Sequence, residues 1–493
     1  MTGPAPRAGP LRLLPAMNPI PQPTVLPALR RDAAGHAHVD LRAVAALALP
    51  LFVNSSLQAV LNLTDTWFLG RISTSALAAV SAVFWPVIVV NLLLGGVSMG
   101  VQTVVAHAYG AGERQRAGAA VRSGVWAALL TVPIFVALAF AGRPLIGMLN
   151  LGPDIAELAY EYWFPRVLGG PAGLAAWALT GFFNGIGRTR VTLAISIVAA
   201  VVNALFNQVF IFGLGLGVAG SAWATTTALV INFGMALWLF RLPSLARDFG
   251  HGWGPWRPDR AGIVRLVRFG APIGLLPAVD LLAMAVFQLM QVRVGTVEGA
   301  ATQIVIQLTS ICFFPAIGIA LAGTTLVGQS IGAGSRDWAT RVGNTCIALA
   351  AAYMGSVCMV LAAAGPWLMP WFVGAGDGNA GEVVALGIRL LWLAALFQFF
   401  DGLNIGSSFC LRGAGDVRVP TIYLLVIAWL GFVPLAHVLT FPPGQGFVAF
   451  LPALGQGVIG GWAALVAYVV VLGTALLLRW RSGAWQRLGP LRA

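Results

Sequence analysis

Two short stretches, VVAHAYGAG at residues 104–112 and LVGQSIGAG at residues 326–334, show that this chain contains two copies of one unit. Their glycines Gly110 and Gly332 lie 222 residues apart, and so do Pro50 and Pro272 in the stretches ALPLF and GAPIG. A third pair, NGIGRTRV at 184–191 and RGAGDVRV at 412–419, is offset by 228 residues, which indicates an insertion of about six residues. Three matched blocks in the same order indicate an internal duplication.

The composition places both copies in a membrane. The 493 residues are 58% hydrophobic and only 9% charged, whereas a soluble domain carries about 25% charged residues. Apolar runs of about 20 residues recur along the chain, long enough to cross a hydrocarbon core of about 30 Å. Because lipid offers no hydrogen-bond partners, such runs must form helices or closed barrels, and these runs are too long and too uniform for barrel strands. The sequence therefore predicts an all-α polytopic membrane protein.

Twelve membrane spans are predicted, six in each copy. They lie near residues 43–69, 76–108, 118–141, 155–183, 191–213, 218–240, 263–294, 300–331, 339–365, 383–411, 419–441 and 453–478. An even number of spans leaves both copies in the same orientation, so they are parallel repeats related by an axis along the membrane normal. Proteins of this kind commonly bind substrate between the halves and alternate access by rocking them.

Arginines set the orientation. Most of the 29 basic residues fall on the side that also carries both chain ends, and the opposite side has little beyond Arg71, Arg143 and Arg293. By the positive-inside rule we expect both termini to be cytoplasmic and the protein to lie in the inner membrane. The formal net charge of +13 thus orients helices, and we expect no nucleic-acid partner.

The spans divide the chain into five segments. The expected segments are a disordered proline-rich cytoplasmic tail (1–38), an N-terminal six-helix lobe (39–240), a cytoplasmic linker (241–262), a C-terminal six-helix lobe (263–480) and a cytoplasmic C-terminal tail (481–493). The first segment contains many prolines and no long apolar run, which favours disorder.

Three acids are predicted well inside spans: Asp65, Asp280 and Asp401. A carboxylate near the bilayer centre costs about 2.5–3.5 kcal/mol, so three of them indicate a use such as holding a proton or Na⁺. A fixed buried hydrogen bond or a place at a helix end is the alternative. Under the 222-residue offset, Asp280 pairs with Gln58 and Asp65 with Phe287, so the acids break the internal symmetry. Each lobe is therefore expected to have its own acid site.

The ordered motifs resemble the multidrug and toxin extrusion (MATE) family. The resemblance is carried by the two GAG loops, by ALPLF and LTDTWFLG in the first helix, by FGAPIG opening the seventh, and by the GxGRTRV and GAGDVRV motifs that close the fourth and tenth. It covers about residues 40–480. It implies twelve helices in two pseudo-symmetric six-helix lobes around a central cleft, with features of the DinF-like and NorM-like branches.

The resemblance also implies site residues in each lobe. Asp65 is similar to the first-helix aspartate of the N-terminal proton site, and Pro50 to the proline where that helix bends. Asn203 and Asn207, four residues apart on one helix face, resemble the asparagine and aspartate that complete that site in the DinF-like branch. This chain departs from that pattern because Asn207 is an amide, which cannot titrate.

In the other lobe, Asp280 resembles the seventh-helix acid of the cation site in the NorM-like branch, and Asp401 resembles its tenth-helix partner. Asp280 and Asp401 form a candidate Na⁺ site, but the sequence leaves H⁺ and Na⁺ open. A hard cation needs several oxygen ligands, and a proton needs one carboxylate.

Aromatic residues in the spans are candidates for a substrate cleft, since such rings attract flat lipophilic cations. They are Phe84, Trp85, Trp177, Phe313, Phe314, Phe397 and Phe400. Lipid contact or packing is the alternative for each of them. His107 and His437 are expected to be polar anchors at helix ends.

The sequence as a whole favours a secondary antiporter that exports organic cations, drugs or metabolites in exchange for H⁺ or Na⁺. We expect a monomer with no cofactor, an organic small-molecule substrate and membrane lipid as partners. The alternative is a flippase for a lipid-linked precursor, whose cavity would need inward arginines; only Arg166, Arg293 and Arg389 are candidates, all near span ends. An enzyme is not expected, because no converging catalytic set such as H-E-x-x-H is present. The sequence also has no P-loop, which argues against ATP-driven transport by this chain alone.

Overall fold

The computed structural model describes residues 26–250, 256–373, 379–448, 452–489 and 491. Twelve helical units, labelled α1 to α12, cross from one side of the molecule to the other. They are α1 Leu41–Gly70, α2 Thr74–Gly110, α3 Arg114–Phe140, α4 Pro153–Leu168 with Gly170–Gly185, α5 Thr189–Gly213, α6 Gly217–Phe240, α7 Arg260–Val294, α8 Thr296–Gly332, α9 Arg336–Ala363, α10 Ala380–Gly413, α11 Arg418–Thr440 and α12 Gly457–Arg481. The all-α prediction is confirmed.

Eleven of these units are described as helices long and apolar enough to span a membrane, and the twelfth, α4, is divided. Its two 16-residue segments meet at Gly169, whose backbone keeps helical angles (φ −73°, ψ −14°). Pro171 sits at the start of the second segment and has no N–H to donate, which interrupts the helical ladder there. The predicted fourth span is therefore present as two shorter helices in sequence.

Short elements connect the long ones. They are the helices Gly142–Gly147, Pro243–Phe249 and Gly365–Leu368 and the single turns Met369–Phe372 and Ala484–Arg487. The segment predicted as linker, 241–262, thus holds a helix of its own and the first turn of α7. Residues 251–255 of that linker, with Trp253 and Pro255, lie outside the described residues.

Several helix starts are fixed by side-chain caps. The side chains of Asp40, Ser73, Asp259 and Ser335 each accept a hydrogen bond from a backbone N–H in the first turn of α1, α2, α7 and α9. Such caps satisfy N–H groups that a helix leaves unpaired. Asp40 and Asp259 cap α1 and α7, the first helix of each lobe, so the chain enters both lobes through a capped helix.

The two lobes have separate apolar cores and meet along four helices. One large core draws on all six helices of the C-terminal lobe, α7–α12, and two cores draw mainly on α1–α6 of the N-terminal lobe. Between the lobes, α1 packs on α8, and α2 packs on α7 and α8. Glycines bring these helices close: a Cβ added at Gly96 would collide with the backbone of Gly274, and one added at Gly318 with the backbone of Phe52.

The structure corrects the prediction of disorder through residue 38. Residues Leu29–Arg31 (β1) and Ala37–Val39 (β2) form an antiparallel hairpin. The indole N–H of Trp338 donates to Pro27 O (2.8 Å) and Arg341 donates to Ala37 O (3.1 Å), so contacts with α9, more than 300 residues away, hold it. In the turn between β1 and β2, a hydrogen bond from the backbone N–H of His36 holds the pKa of the Asp32 carboxyl below its usual value. Residues 1–25 lie outside the described residues.

Candidate functional site

In the N-terminal lobe, Asp65, Asn203 and Asn207 lie together as the sequence predicted. Asn207 Nδ2 donates to Asp65 Oδ1 at 2.7 Å and to Asn203 Oδ1 at 3.2 Å. Asn203 Nδ2 in turn donates to Thr225 Oγ1 at 3.2 Å, and Thr225 Oγ1 lies 3.5 Å from Asp65 Oδ2. The carboxylate thus faces amide and hydroxyl groups from two other helices.

Local distortions position this N-terminal site. Helix α5 changes to a wider π-helical turn at Gln208, immediately after Asn207, and such turns are frequent at functional sites. In α6, a Cβ added at Gly220 would collide with the backbone of Phe210. The missing side chain therefore lets α6 approach α5 and brings Thr225 to Asp65.

Two further groups complete the N-terminal site. Arg166 of α4 lies close enough to interact electrostatically with both Asp65 and Tyr162. Asn207 is fully buried, and its Oδ1 has no hydrogen-bond partner among the described residues. An unpaired buried amide oxygen beside a carboxylate is a ligand that a cation can use, so the oxygens of Asp65, Asn203, Asn207 and Thr225 fit either a proton or Na⁺.

In the C-terminal lobe, Asp280 of α7 and Asp401 of α10 form a second acid site. The phenol of Tyr468 in α12 donates to Asp280 Oδ1 at 2.6 Å, and Asn404 Nδ2 donates to Asp401 Oδ1 at 2.9 Å. Asp401 interacts electrostatically with Asp280, and Tyr468 with both acids. The two acids that the family resemblance proposed as partners therefore influence each other electrostatically, and their joint role in binding a cation stays a prediction.

Close helix packing also builds this second site. A Cβ added at Gly402 would collide with the backbone of Ala351 in α9, and one at Gly473 with the carbonyl oxygen of Phe400. These glycines seat α10 tightly between α9 and α12 at the level of Asp401. The ring of Tyr468 stacks on Phe432 (centroids 4.8 Å apart), which ends a π-helical turn in α11. Each acid site thus borders one π-helical turn.

A third polar cluster joins the lobes. It lies on the basic side, defined here as the side where odd-numbered helices begin and even-numbered helices end. His107 Nε2 bonds to Gly413 O at 2.7 Å, and Gln329 Nε2 donates to Gly185 O at 2.8 Å. These two bonds are equivalent under the internal repeat, since His107 matches Gln329 and Gly185 matches Gly413. His107 is therefore the polar anchor that was predicted.

Other bonds reinforce this junction. Gln102 Nε2 donates to Leu321 O and to Thr325 Oγ1, both at 3.0 Å, and Thr325 donates to Asn184 O at 3.1 Å. Arg412 donates to Met99 O. We call Gln102, His107, Thr325, Gln329 and Arg412 the inter-lobe clamp. Within the described residues, the hydrogen bonds that link the two lobes lie in the basic half of the molecule.

The predicted cleft aromatics remain dispersed. Trp85, Trp177 and Phe313 are partly exposed, whereas Phe397 and Phe400 pack against the C-terminal core. Phe84 contacts Trp85, and Phe313 contacts Phe314, each within one helix. The ring contact described between the lobes is instead Phe52 of α1 with Tyr353 of α9, at 5.2 Å. Sequence reasoning missed this pair.

Pro50, the predicted hinge, lies inside the unbroken helix α1 and is buried. It directly precedes Leu51 and Phe52, whose backbone abuts Gly318 of α8. A proline removes one helical hydrogen bond, so α1 is weakened beside its contact with the other lobe. The hinge role stays a prediction.

Comparison with known proteins identifies the family. A model of the family described as MatE matches the chain twice, over residues 50–209 and over residues 272–437. The chain belongs to the MatE family. The two matches begin 222 residues apart and end 228 residues apart, the same offsets that the sequence blocks gave. The duplication and the family resemblance are therefore confirmed.

Relatives and solved structures cover nearly the whole chain. The probable multidrug resistance protein NorM of Pseudomonas aeruginosa is 31% identical over 456 residues, covering 90% of each protein. The multidrug resistance protein NorM of Burkholderia vietnamiensis is 32% identical over 466 residues, covering 92% of this chain and 96% of that protein.

The fold matches an outward-facing multidrug resistance MATE family transporter of the MOP superfamily with a TM-score of 0.79 and 21% identity, covering 90% of this chain and 96% of that one. A MOP superfamily transporter from Pyrococcus furiosus matches with a TM-score of 0.77 and 21% identity, over the same shares of the two chains. Twelve helices in two lobes are thus the architecture of this multi-pass membrane protein.

Proposed function

We propose that this protein is a secondary antiporter that exports organic cations or related lipophilic metabolites in exchange for H⁺ or Na⁺. The observation that carries the proposal is the pair of intramembrane acid sites, Asp65 with its amides and Asp280 with Asp401. Carboxylates in a membrane interior mark ion or proton pathways. The multidrug resistance names of relatives such as the two NorM proteins support a drug-like substrate.

The mechanism follows from the two acid sites and the inter-lobe clamp. Binding of H⁺ or Na⁺ at Asp65, or at Asp280 and Asp401, neutralises the carboxylate charge. In this state that charge attracts hydrogen-bond donors from neighbouring helices. That change favours a different packing of α1, α5 and α6 or of α7, α10 and α12. If substrate and ion favour opposite states of the lobes, each displaces the other.

The clamp supports an outward-facing assignment for this state. The arginine-rich side carries both chain ends, which by the positive-inside rule supports cytoplasmic termini in the inner membrane. Hydrogen bonds between the lobes on that side favour an arrangement that opens away from the cytoplasm. A green fluorescent protein fused after residue 493 should fluoresce in cells if the C-terminal end is cytoplasmic, and a periplasmic end would leave it dark.

The test is ethidium transport in proteoliposomes or in inverted vesicles, where export appears as uptake. Proton and sodium gradients are imposed separately. Wild type is compared with Asp65→Asn, Asp280→Asn and Asp401→Asn. The matched control is Asp154→Asn, an exposed acid at the start of α4. We expect export on one gradient, its loss in at least one of the three variants at equal expression, and no loss in the control.

Two outcomes would contradict this proposal. Export by all three variants at the wild-type rate would remove the acids from the mechanism. No movement of ethidium or another organic cation by wild type under either gradient would remove the cation substrate, and anionic or lipid-linked substrates would be tested next.

A further inference from the structure

A pocket of about 480 Å³ opens on the basic side between the two lobes. Its walls come from the start of α3, the end of α2, the start of α7, the connection between α10 and α11, and the C-terminal segment. The charged lining residues are Arg116, Asp259, Arg265, Arg268, Asp416 and Arg418. The pocket lies apart from both acid sites.

Each of the two acids that line the pocket already accepts a hydrogen bond. Asp416 accepts from Arg479 Nε at 2.8 Å, and Asp259 caps α7 by accepting from Ala261 N at 3.1 Å. One arginine of the pocket is also engaged, since Arg116 pairs with Glu113 and donates to Leu491 O at 3.1 Å. Asp259 keeps its negative charge, since a backbone N–H does not neutralise a carboxylate, and the remaining three arginines, Arg265, Arg268 and Arg418, leave the pocket with an excess of positive charge.

Arg265, Arg268 and Arg418 have neither a hydrogen bond nor an ion pair within the described part of the chain. All three residues are exposed, so water screens the repulsion between their charges. Their like charges around one cavity still favour an anion between them, and an anion can enter from solvent. A phosphate suits this arrangement, because a guanidinium can donate two parallel hydrogen bonds to phosphate oxygens.

We propose that this pocket binds the phosphate head group of an anionic membrane lipid. The apolar part of its lining, which includes Leu266, Phe269 and Leu491, provides contact for the glycerol and the first acyl carbons. On α7, Val264 and Val267 are 48% and 40% exposed beside Arg265 and Arg268, so lipid chains can run along this face. Basic pockets between helices on the cytoplasmic side are known to hold acidic head groups.

The pocket also couples lipid to the arrangement of the lobes. Arg116 and Ser123 line the wall of the pocket that belongs to the N-terminal lobe, and Arg265, Arg268 and Arg418 line the wall that belongs to the C-terminal lobe. A head group held by the three arginines and in contact with the other wall binds only while the lobes are together on the basic side, so it stabilises the clamped state. This consequence rests on the proposed alternation between two states, whereas head-group binding itself does not.

The experiment measures binding to the full chain in neutral detergent by microscale thermophoresis. The probes are dihexanoyl phosphatidylglycerol, dihexanoyl phosphatidylcholine and inorganic phosphate. The pocket variant is Arg265→Gln/Arg268→Gln/Arg418→Gln. The control, Arg190→Gln/Arg336→Gln/Arg481→Gln, removes the same charge from the same side outside the pocket. We expect wild type and control to prefer phosphatidylglycerol to phosphatidylcholine, and the pocket variant to bind it at least about tenfold more weakly.

Three results would overturn the lipid site. They are equal binding by pocket variant and wild type, equal weakening of the control, or inorganic phosphate binding as tightly as phosphatidylglycerol, which would indicate a free-phosphate site. Size-exclusion chromatography checks that the variants remain folded. In the same samples, phosphatidylglycerol should slow hydrogen exchange of residues 99–110 and 321–332 in wild type. Binding without this protection would overturn the coupling and leave the export proposal untouched.

Discussion

The N-terminal lobe holds one carboxylate, Asp65, against two amides and a hydroxyl, whereas the C-terminal lobe holds Asp280 and Asp401 beside one phenol. Under the repeat, Asp65 and Asp280 sit on equivalent helices but seven residues apart, which is about 10 Å along the axis. The two lobes thus share a scaffold and differ in the number, depth and partners of their acids.

The junction between the lobes shows the opposite behaviour. His107 reaches Gly413 O as Gln329 reaches Gly185 O, and a Cβ at Gly110 would collide with Gln329 O as one at Gly332 would with His107 O. The duplicated contacts are those that both lobes need in order to close against each other. The titratable chemistry does not follow the repeat, so one lobe can bind the ion while the other serves a different step.

The largest effect is expected at the symmetric glycines. Gly110→Ala and Gly332→Ala should each disfavour the clamped state by about 1–3 kcal/mol, because each methyl group meets a backbone carbonyl of the other lobe. Hydrogen exchange of residues 99–110 and 321–332 should rise equally in the two variants. Gly234→Ala is the control, since a Cβ there meets nothing within 4 Å. Unequal effects would show that the junction is not symmetric.

A second change separates the lobes by their acids. Tyr468→Phe removes the phenol that donates to Asp280 but keeps the ring that stacks on Phe432. The phenol stabilises the charged carboxylate, because a hydrogen bond to a charged group is worth about 1.5–3 kcal/mol. If the C-terminal lobe couples to protons, loss of this donor should move the pH profile of export upward.

The control for this change is Tyr423→Phe, a tyrosine of α11 whose hydroxyl has no hydrogen bond within the described residues. An unmoved profile in Tyr468→Phe, with export intact, would exclude Asp280 as the coupled acid.

The corresponding test in the N-terminal lobe is Asn207→Asp, which gives this site two carboxylates as in the other lobe. Because like charges oppose each other's ionisation, a second carboxylate at this site favours retention of one proton by the pair. The pH profile of proton-driven export then moves upward if Asp65 is the coupled acid. Asn150→Asp in an exposed loop controls for the added charge. A shift in this variant and none in Tyr468→Phe would assign coupling to the N-terminal lobe.

The sequence predicted most of the scaffold because its signals are long or repeated. Apolar runs located the twelve spans, and the matched blocks located the duplication. The three acids were found because a carboxylate in an apolar run is unusual. Asn203 and Asn207 were found through the family resemblance, since amides are ordinary in such helices.

The remaining features depend on contacts that the sequence does not encode locally. Thr225 and Tyr468 complete the two acid sites, but a single hydroxyl in an apolar helix gives no signal of the helix face it occupies. The hairpin at residues 29–39 was missed because Trp338 and Arg341 hold it from α9. The divided α4 was predicted as one span because hydrophobic residues continue across Pro171, although the segment before it also carries Glu157, Glu161 and Arg166.

The smallest effect is expected from exchanging a residue of the clamp for its repeat mate. In His107→Gln the amide can donate to Gly413 O as Gln329 does to Gly185 O, so the main bond is kept. The bond from Leu491 N to His107 Nδ1 (3.2 Å) is lost, and the clamped state should weaken by less than about 1 kcal/mol. His107→Leu leaves Gly413 O unpaired and should cost about 1–3 kcal/mol. Hydrogen exchange of residues 99–110 measures both, and equal effects would show that the imidazole acts through something other than the bond shared by the two lobes.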